Sequence, residues 1–576
     1  MELREPYLRE QLIAYIGSKR SLLPFLHGVL APLVERIRES RPTPAGSVSF
    51  LDPFAGSGAV ARLARVMGLR VHANDWEPYT YVINSCHLGI QPSEARRLFR
   101  ASGGMTRALS ELNALTRPTR GDRYISRHYA PRSTANADWR TERLFYTTEN
   151  ALRIDAARDE IENRYPGTPD RASAWREKVL LLAPLLYEAA THTNTSGVFK
   201  ACHRGFGGHG GDALHRILAP IVVRAPVLWE AAPASTIRCL DAARFLREQT
   251  GDLCYLDPPY ATHQYGSNYF MLNTIALWDR PPVSAARGAD GRLVQKAGIR
   301  EDWRRTRSAF CYRSTALEAM REVVAAADCR YLVVSYSNEG LIGLEELCDL
   351  LSETGELSFT ARDNVKYPGG KQSLHRTTRN LELALVVDRC ARGPRARGRA
   401  SAGHVSAGGL LRHVAMRNLL GRSFDPVRVQ EAFPTDRGAI LVRAGGRRLR
   451  LPMRHFWRME PGTDELGLEG EELDRFLERL SSCEVRDARE ELAIVLDLVR
   501  EETDRREGGR LRREALRLLR RLAHRKNRQL FVRSLAEVQV HAAREESDDG
   551  FLAGLARIQE VASRRGLGTP AEGQRP

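Results

Sequence analysis

The stretch Ser47 to Asp75, "SVSFLDPFAGSGAVARLARVMGLRVHAND", constrains the fold more than any other part of the chain. A short run of β-formers leads into a tight loop containing Gly56 and Gly58. An apolar-periodic helix follows and stops at Gly68, and a second strand ends at Asp75. Strand, loop, helix and strand in that order predict an α/β, doubly wound parallel sheet of Rossmann type, with its ligand at the carboxyl ends of the strands. The same rhythm returns as "IRCL" before Asp241, "DLCYL" before Asp257, "RYLVVSYS" around Val333 and "NLELALVV" at the last edge. Residues 1–93 and 239–389 are therefore expected to form one sheet domain. It opens with a turn around Gly17 and an amphipathic helix in "AYIGSKRSLLPFLHGVLAPLVERIRES".

Between them, residues 94–238 switch to helices separated by polar, basic loops, which predicts a mainly helical insertion interrupting the sheet once. Residues 390–409 are rich in Gly, Ala and Arg without apolar periodicity and predict a linker. Residues 410–576 are expected to be a separate α+β module. A hairpin around Gly445-Gly446 opens it, and leucines at helical spacing in "LRREALRLLRRLAHRKNRQL" predict a helix packing within that module.

At 576 residues more than one folding unit is expected, and a net charge of +17 points to a polyanion, nucleic acid before membrane. Seven of the basic residues are Lys and the rest Arg, so codon bias contributes to that excess. Nine Cys without a Cys-x-x-Cys pair give neither a disulfide framework nor a zinc ribbon. No secretory signal opens the chain, and the apolar run Val179 to Ala190 is broken by Pro184 and Glu188, so a cytoplasmic protein without membrane spans is expected.

Two places carry chemistry. Glycines at 56 and 58 let the backbone approach a ligand closely, and Asp75, at the end of the next strand, can grip both hydroxyls of a ribose. A nucleoside cofactor follows, though dinucleotide enzymes share this geometry. The second place is "CYLDPPYATHQYGSNYF", Cys254 to Phe270. An apolar strand ending in Asp257 and the rigid Pro258-Pro259 turn presents two acceptors, the Asp257 carboxylate and the Pro258 carbonyl. They suit a nitrogen bearing two N–H donors, while Tyr260 offers a face for a planar ring. An exocyclic amino group of a nucleobase is such a target. Its lone pair is delocalised into the ring, and acceptors that hold its protons out of plane localise it toward an electrophilic methyl on sulfonium. The base must be flipped out of the duplex to reach the corner.

With those residues in place, the chain resembles the D12 class of adenine-specific DNA methyltransferases, the Dam-like α group, over Tyr15 to Asp388. "YIGSKRSLLPFL" is similar to the family's first cofactor motif, which implies that Tyr15, Gly17 and Lys19 lie near the methionine part of S-adenosylmethionine. "DPFAGSG" matches its glycine loop through Asp52, Phe54, Gly56 and Gly58, Asp75 its ribose acid, Asp241 the residue facing the cofactor's adenine, and Asp257, Pro258, Pro259 and Tyr260 the catalytic corner. "YGSNYFMLNTIALWD" extends the match, and "GGKQSLHRTTRNLELALVV" fits the closing motif loosely. The resemblance implies methyl transfer to the N6 amino group of adenine in a specific duplex DNA sequence, a target-recognition role for the insertion, and a cognate restriction endonuclease as the partner to look for. Amino-methylation of cytosine in DNA, or of adenine in RNA, uses the same corner and stays as the alternative.

Lys200 and Arg204, in a glycine-rich loop, are candidate DNA contacts, and Tyr265, Asn268 and Tyr269 are candidates to gate or stack in the flipped-base pocket. Cys202, His203, His209 and His215 have no common zinc spacing, so no metal is expected.

Overall fold

The computed structural model describes residues 5–41, 47–118, 123–169, 172–208, 211–231, 234–365 and 379–390, with shorter runs between 412 and 567. The chain divides into two units, Met1–Arg362 with Glu382–His404, and Asp363–Leu381 with Val405–Pro576.

The expected alternation produces a seven-stranded sheet. Its strands are β1 (Ser49–Asp52), β2 (Arg70–Asn74), β3 (Thr236–Arg238), β4 (Thr250–Leu256), β5 (Asp328–Ser337), β6 (Glu356–Val365) and β7 (Arg379–Asp388), in the order β3-β2-β1-β4-β5-β7-β6. β1 pairs in parallel with β2 and β4, β2 with β3, and β4 with β5. β7 runs antiparallel to β5, placing Val386 opposite Val333 and Glu382 opposite Ser337. The sheet is thus doubly wound and Rossmann-like with one reversed strand, a departure from the all-parallel expectation. β6 was not anticipated, because "ELSFTARDNV" mixes polar and apolar residues without an apolar run. Strand order reverses between β1 and β4, so the crevice at their carboxyl ends is where a ligand belongs.

The helix Leu23–Glu39 lays Leu26, Leu30, Leu33 and Ile37 on one sheet face, in a cluster with Phe50, Val71, Leu253 and Val333. A second apolar cluster joins the helices Pro78–His87, Thr148–Arg164, Ala172–Thr191 and Phe270–Leu277. The last of these lies between β4 and β5, so the sheet sends out two excursions rather than the single one expected. Phe270, Met271, Leu272 and Ile275 are fully buried and hold the second excursion to the first. Arg143 reinforces the junction by donating to the carbonyls of Ser284 (2.6 Å) and Gln295 (2.8 Å), and the Tyr129 hydroxyl donates to Gly298 O (2.9 Å).

The second unit contains a four-stranded antiparallel sheet, β8 (Thr435–Asp436), β9 (Ala439–Ala444), β10 (Arg447–Arg454) and β11 (Arg458–Met459) in sequential order. β9 and β10 pair around Gly445-Gly446, which themselves lie outside the described residues, as does the expected linker except for Cys390. Leu511, Leu518, Leu519 and Leu522, on the helix Arg505–Leu522, share an apolar core with Leu492, Phe531 and Leu555 from neighbouring helices. No helix among the described residues is long and apolar enough to cross a membrane.

Phe145 is fully buried and its ring lies 6.0 to 6.2 Å from those of Tyr129, Phe270 and Phe199, so it ties both excursions together. Phe145→Ala is expected to cost about 3–5 kcal/mol through lost burial and an unfilled cavity. A calorimetric scan showing no fall in the melting temperature of the first unit would contradict this.

Candidate active site

β1 ends at Asp52 and the chain turns through Pro53–Ser57. Three strand ends are then fastened by Asn74, whose side-chain amide donates to Pro53 O (3.2 Å) and Leu240 O (3.0 Å) and accepts from Leu240 N–H (2.9 Å). Gly56 has φ +50°, and a Cβ there would meet Tyr15 Cε1 at 2.9 Å; Gly58 has φ +80°, and its Cβ would meet Asn84 Oδ1 at 2.3 Å. Both positions therefore need glycine. Asp75 accepts from Gly56 N–H (2.8 Å) and Glu77 N–H (3.0 Å), which sets the carboxylate across the loop. Asp241 caps the helix Ala242–Arg247 by accepting from Arg244 N–H at 3.1 Å.

β4 delivers Asp257 to the same crevice. Lys19 Nζ sits 3.0 Å from Asp257 Oδ1, donates to Glu382 Oε1 (2.6 Å) and to the Tyr260 hydroxyl (3.3 Å), and lies 5.0 Å from the Tyr260 ring centroid. Glu382 comes from β7, is 1% exposed, and also accepts from the Ser335 hydroxyl at 3.0 Å. Burial pushes the Asp257 carboxyl up to about 6, opposed by Lys19 and assisted by the charge of Glu382. Lys19 is itself penalised by burial, yet the two carboxylates hold it well above the usual lysine range. Burial pushes the Tyr260 phenol up to about 12, keeping it neutral. Its ring meets Tyr336 edge-on at 5.6 Å, and its carbonyl accepts from Leu341 N–H.

One cavity is lined by Tyr15, Gly17, Lys19, Asp52, Phe54, Gly56, Asp75, Asp241, Asp257, Pro258, Pro259, Tyr260 and Tyr265. The corner and the glycine loop therefore face each other. Gly58 stands behind, at the start of the helix Ala59–Val66. Tyr15 stacks on Tyr269 at 5.1 Å and lies 5.1 Å from Tyr265, and the Ile16 backbone is gripped by both tyrosine hydroxyls.

The expectation that Asn268 and Tyr269 reach DNA is corrected by their burial, 1% exposed each. In a row of aromatics the sequence does not show which ring faces the cavity; here Tyr265 does, while Tyr269 forms the wall behind Tyr15. Lys200 and Arg204 do not line the cavity. Arg204 packs over Trp139 at 4.5 Å. Cys202 Sγ accepts from Leu144 N–H and His203 pairs with Ser196; His209 lies outside the described residues. Sequence reasoning missed Glu382, although a lone acid within the apolar run of "NLELALVV" was a signal. It also missed Trp76, Gln264 and Phe310, which line the cavity from loops carrying no periodicity.

In a protein of net charge +17 this cavity is acidic, with six carboxylates (Asp52, Asp75, Glu77, Asp241, Asp257, Glu322) against Lys19 and Arg307. Asp52 Oδ1 is buried without a hydrogen-bond partner among the described residues, and burial together with the nearby Asp257 pushes that carboxyl well up. Such a lining fits a cationic nucleoside better than a polyphosphate one.

Residues 15–296 match the family of D12 class N6 adenine-specific DNA methyltransferases, and the chain belongs to that family. Its reaction is methylation of adenine in DNA. The chain is 29% identical over 378 residues to the type II methyltransferase M.NlaIII of Neisseria lactamica, covering 65% of this chain and 99% of that protein. It is 28% identical over 355 residues to the type II methyltransferase M.CviAII of Paramecium bursaria Chlorella virus 1 (62% and 92% covered). Against the type II methyltransferase M.FokI of Planomicrobium okeanokoites it is 26% identical over 345 residues, covering 59% of this chain and 47% of that one. No solved structure matches the chain.

Gly56→Ala must strain the loop and push the Tyr15 ring, so the affinity for the methyl donor is expected to fall at least about tenfold, 1.4 kcal/mol. Gly28→Ala is the control: it lies on the helix Leu23–Glu39 with nothing within 4 Å, and is expected to leave binding unchanged while stabilising the fold by roughly 0.5–1 kcal/mol. Calorimetric titration of both variants checks the pair.

Proposed function

We propose that the protein transfers a methyl group from S-adenosylmethionine to N6 of an adenine flipped out of duplex DNA, and that it serves as the modification enzyme of a type II restriction system. The observation that carries this reading is the single cavity joining the acidic, glycine-lined loop to the Asp257–Tyr260 corner. The names of the relatives, all type II methyltransferases or modification methylases, support the biological setting.

Asp52, with its unpartnered oxygen, and Asp75, beside Gly56, suit the donor's cationic and hydroxyl groups; Tyr15, Phe54 and Asp241 complete that half of the cavity. The bound donor supplies an electrophilic methyl group. The protein's own residues prepare the nucleophile. The oxygen of Asp257 not held by Lys19, and the Pro258 carbonyl, accept the two N6 protons and draw the nitrogen's lone pair out of the ring plane. Tyr260, neutral and steadied by Tyr336, stacks on the base and replaces the partner lost on flipping. Lys19 keeps Asp257 ionised, and Glu382 keeps Lys19 in place. Once the new bond forms, the nitrogen carries an excess proton, and the Asp257 carboxylate receives it.

Asp257→Ala is expected to retain donor affinity while methyl transfer falls by at least about 10²–10³, the loss seen when one preorganised group at a reacting centre is removed. Donor binding by calorimetry and tritium transfer to DNA separate the two effects; transfer at the wild-type rate would remove Asp257 from the reaction. The pH profile gives a second test. Asp257 acts as a carboxylate, so kcat is expected to be level above about pH 6 and to fall about tenfold per pH unit below it. Lys19→Met removes the charge that favours ionisation and moves this limb up. Glu382→Gln removes a neighbouring negative charge and moves it down. Limbs that stay together would show that the network does not set the Asp257 charge. Finally, single-molecule sequencing of host DNA is expected to show N6-methyladenine at one recurrent sequence only when this gene is present, and a modified cytosine there would overturn the assignment.

A further inference from the structure

Outside the residues that line the cavity, four cations crowd one indole. Around the Trp139 ring centroid stand Arg204 at 4.5 Å, Arg140 at 5.2 Å, Arg292 at 5.6 Å and Lys296 at 5.9 Å. They come from three separate segments: the turn after Asp138, the loop after Phe199, and a small hairpin in the connection between β4 and β5. That hairpin closes through the bridge Arg287–Leu293, and Leu293 N–H donates to Arg140 O at 3.1 Å, fastening it to the turn. The turn and the hairpin are therefore joined through their backbones, and Arg204 reaches the ring from the third segment.

The electrostatics of this cluster are unbalanced. Asp138 lies 3.7 Å from Arg140 and Asp290 lies 3.5 Å from Arg292, whereas Arg204 and Lys296 have no carboxylate partner among the described residues. The half-buried Trp139 ring offers each cation about 0.5–1 kcal/mol and has only two faces. Four positive charges around it repel one another, and a polyanion is the ligand that relieves the repulsion. The loop that carries Arg204 also reaches the cavity mouth. Phe199 N–H donates to Asn268 O at 2.7 Å, and the Lys200 charge acts on His263 and Cys311, neighbours in sequence of the cavity-lining Gln264 and Phe310. Four residues of extended chain span at most about 14 Å. A DNA strand rises about 3.4 Å per nucleotide, so that reach corresponds to about four nucleotides.

We propose that Trp139 with Arg140, Arg204, Arg292 and Lys296 forms a docking site for the phosphate backbone of the duplex flanking the flipped adenine. The inference rests on the reading of duplex DNA as substrate. Because the site grips phosphates, it sets register and affinity without reading sequence. The two excursions from the sheet thereby act as one DNA-facing body.

The test measures affinity for a short duplex of arbitrary sequence as a function of NaCl, using the full chain and the double variant Arg204→Ala/Lys296→Ala. Each lost phosphate contact lowers the slope of log K against log salt by about 0.9, so the double variant is expected to lose about 1.8 from the wild-type slope. Arg204→Lys/Lys296→Arg keeps both charges and is expected to keep the slope, which distinguishes charge from a disturbed fold. An unchanged slope in the alanine variant, an equal loss in the charge-preserving one, or a loss confined to DNA containing the methylated sequence would overturn the proposal. Whether the wild-type protein methylates adenine in duplex DNA at all is read separately, so failure of the functional reading and failure of the docking site are distinct results.

Discussion

Everything at the catalytic end of the sheet depends on a buried ammonium shared between two carboxylates. Lys19 enters from the turn that precedes the first long helix, Asp257 from the end of β4, and Glu382 from the reversed strand β7. Three remote parts of the chain are fixed by one charge. Burying ions is costly unless they are paired, and removing one partner of such a set typically costs on the order of 3–5 kcal/mol. The network consequently ties the N-terminal segment to the reversed strand β7, and the Lys19 charge in the same contact opposes the upward push of burial on the Asp257 carboxyl. A stability device and a chemical device are one set of atoms.

Aromatic packing extends this constraint. Tyr15 covers Gly56, stacks on Tyr269 and neighbours Tyr265, while Ile16 is held by both of those tyrosines through its backbone. The N-terminal turn is thus pressed between the glycine loop and the helix following the Asp-Pro-Pro-Tyr corner. Only a glycine tolerates that approach, which gives the loop a packing reason of its own. Electrostatics divides the molecule in a corresponding way. The cavity gathers carboxylates, whereas the helical excursions gather arginines around Trp139. A net charge of +17 conceals this opposition, since the acidic lining is a small part of a basic whole.

The alternation of apolar runs with glycine turns made the sheet legible, because period and turn chemistry are local. The place of Asp75 and of the Asp-Pro-Pro-Tyr corner at strand ends facing one cavity could be read for the same reason, since it depends on residues adjacent in sequence. Glu382 could not be assigned a partner, since nothing in "NLELALVV" states that the strand runs backwards beside β5. Tyr265 and Tyr269 look equivalent in the sequence, and only packing against Tyr15 shows one ring to the cavity and hides the other.

The sequence by itself determined the class of sheet, the position of its crevice and the kind of chemistry at the corner, through patterns spanning a few residues. Tertiary structure decided which charges meet: Lys19 with Glu382 across the sheet, and Trp139 with cations from three segments. The physical reason is range. Backbone propensity and hydrophobic period act between neighbours along the chain, whereas an ion pair or a cation over a ring depends on distance in space, which is fixed only after the core has closed.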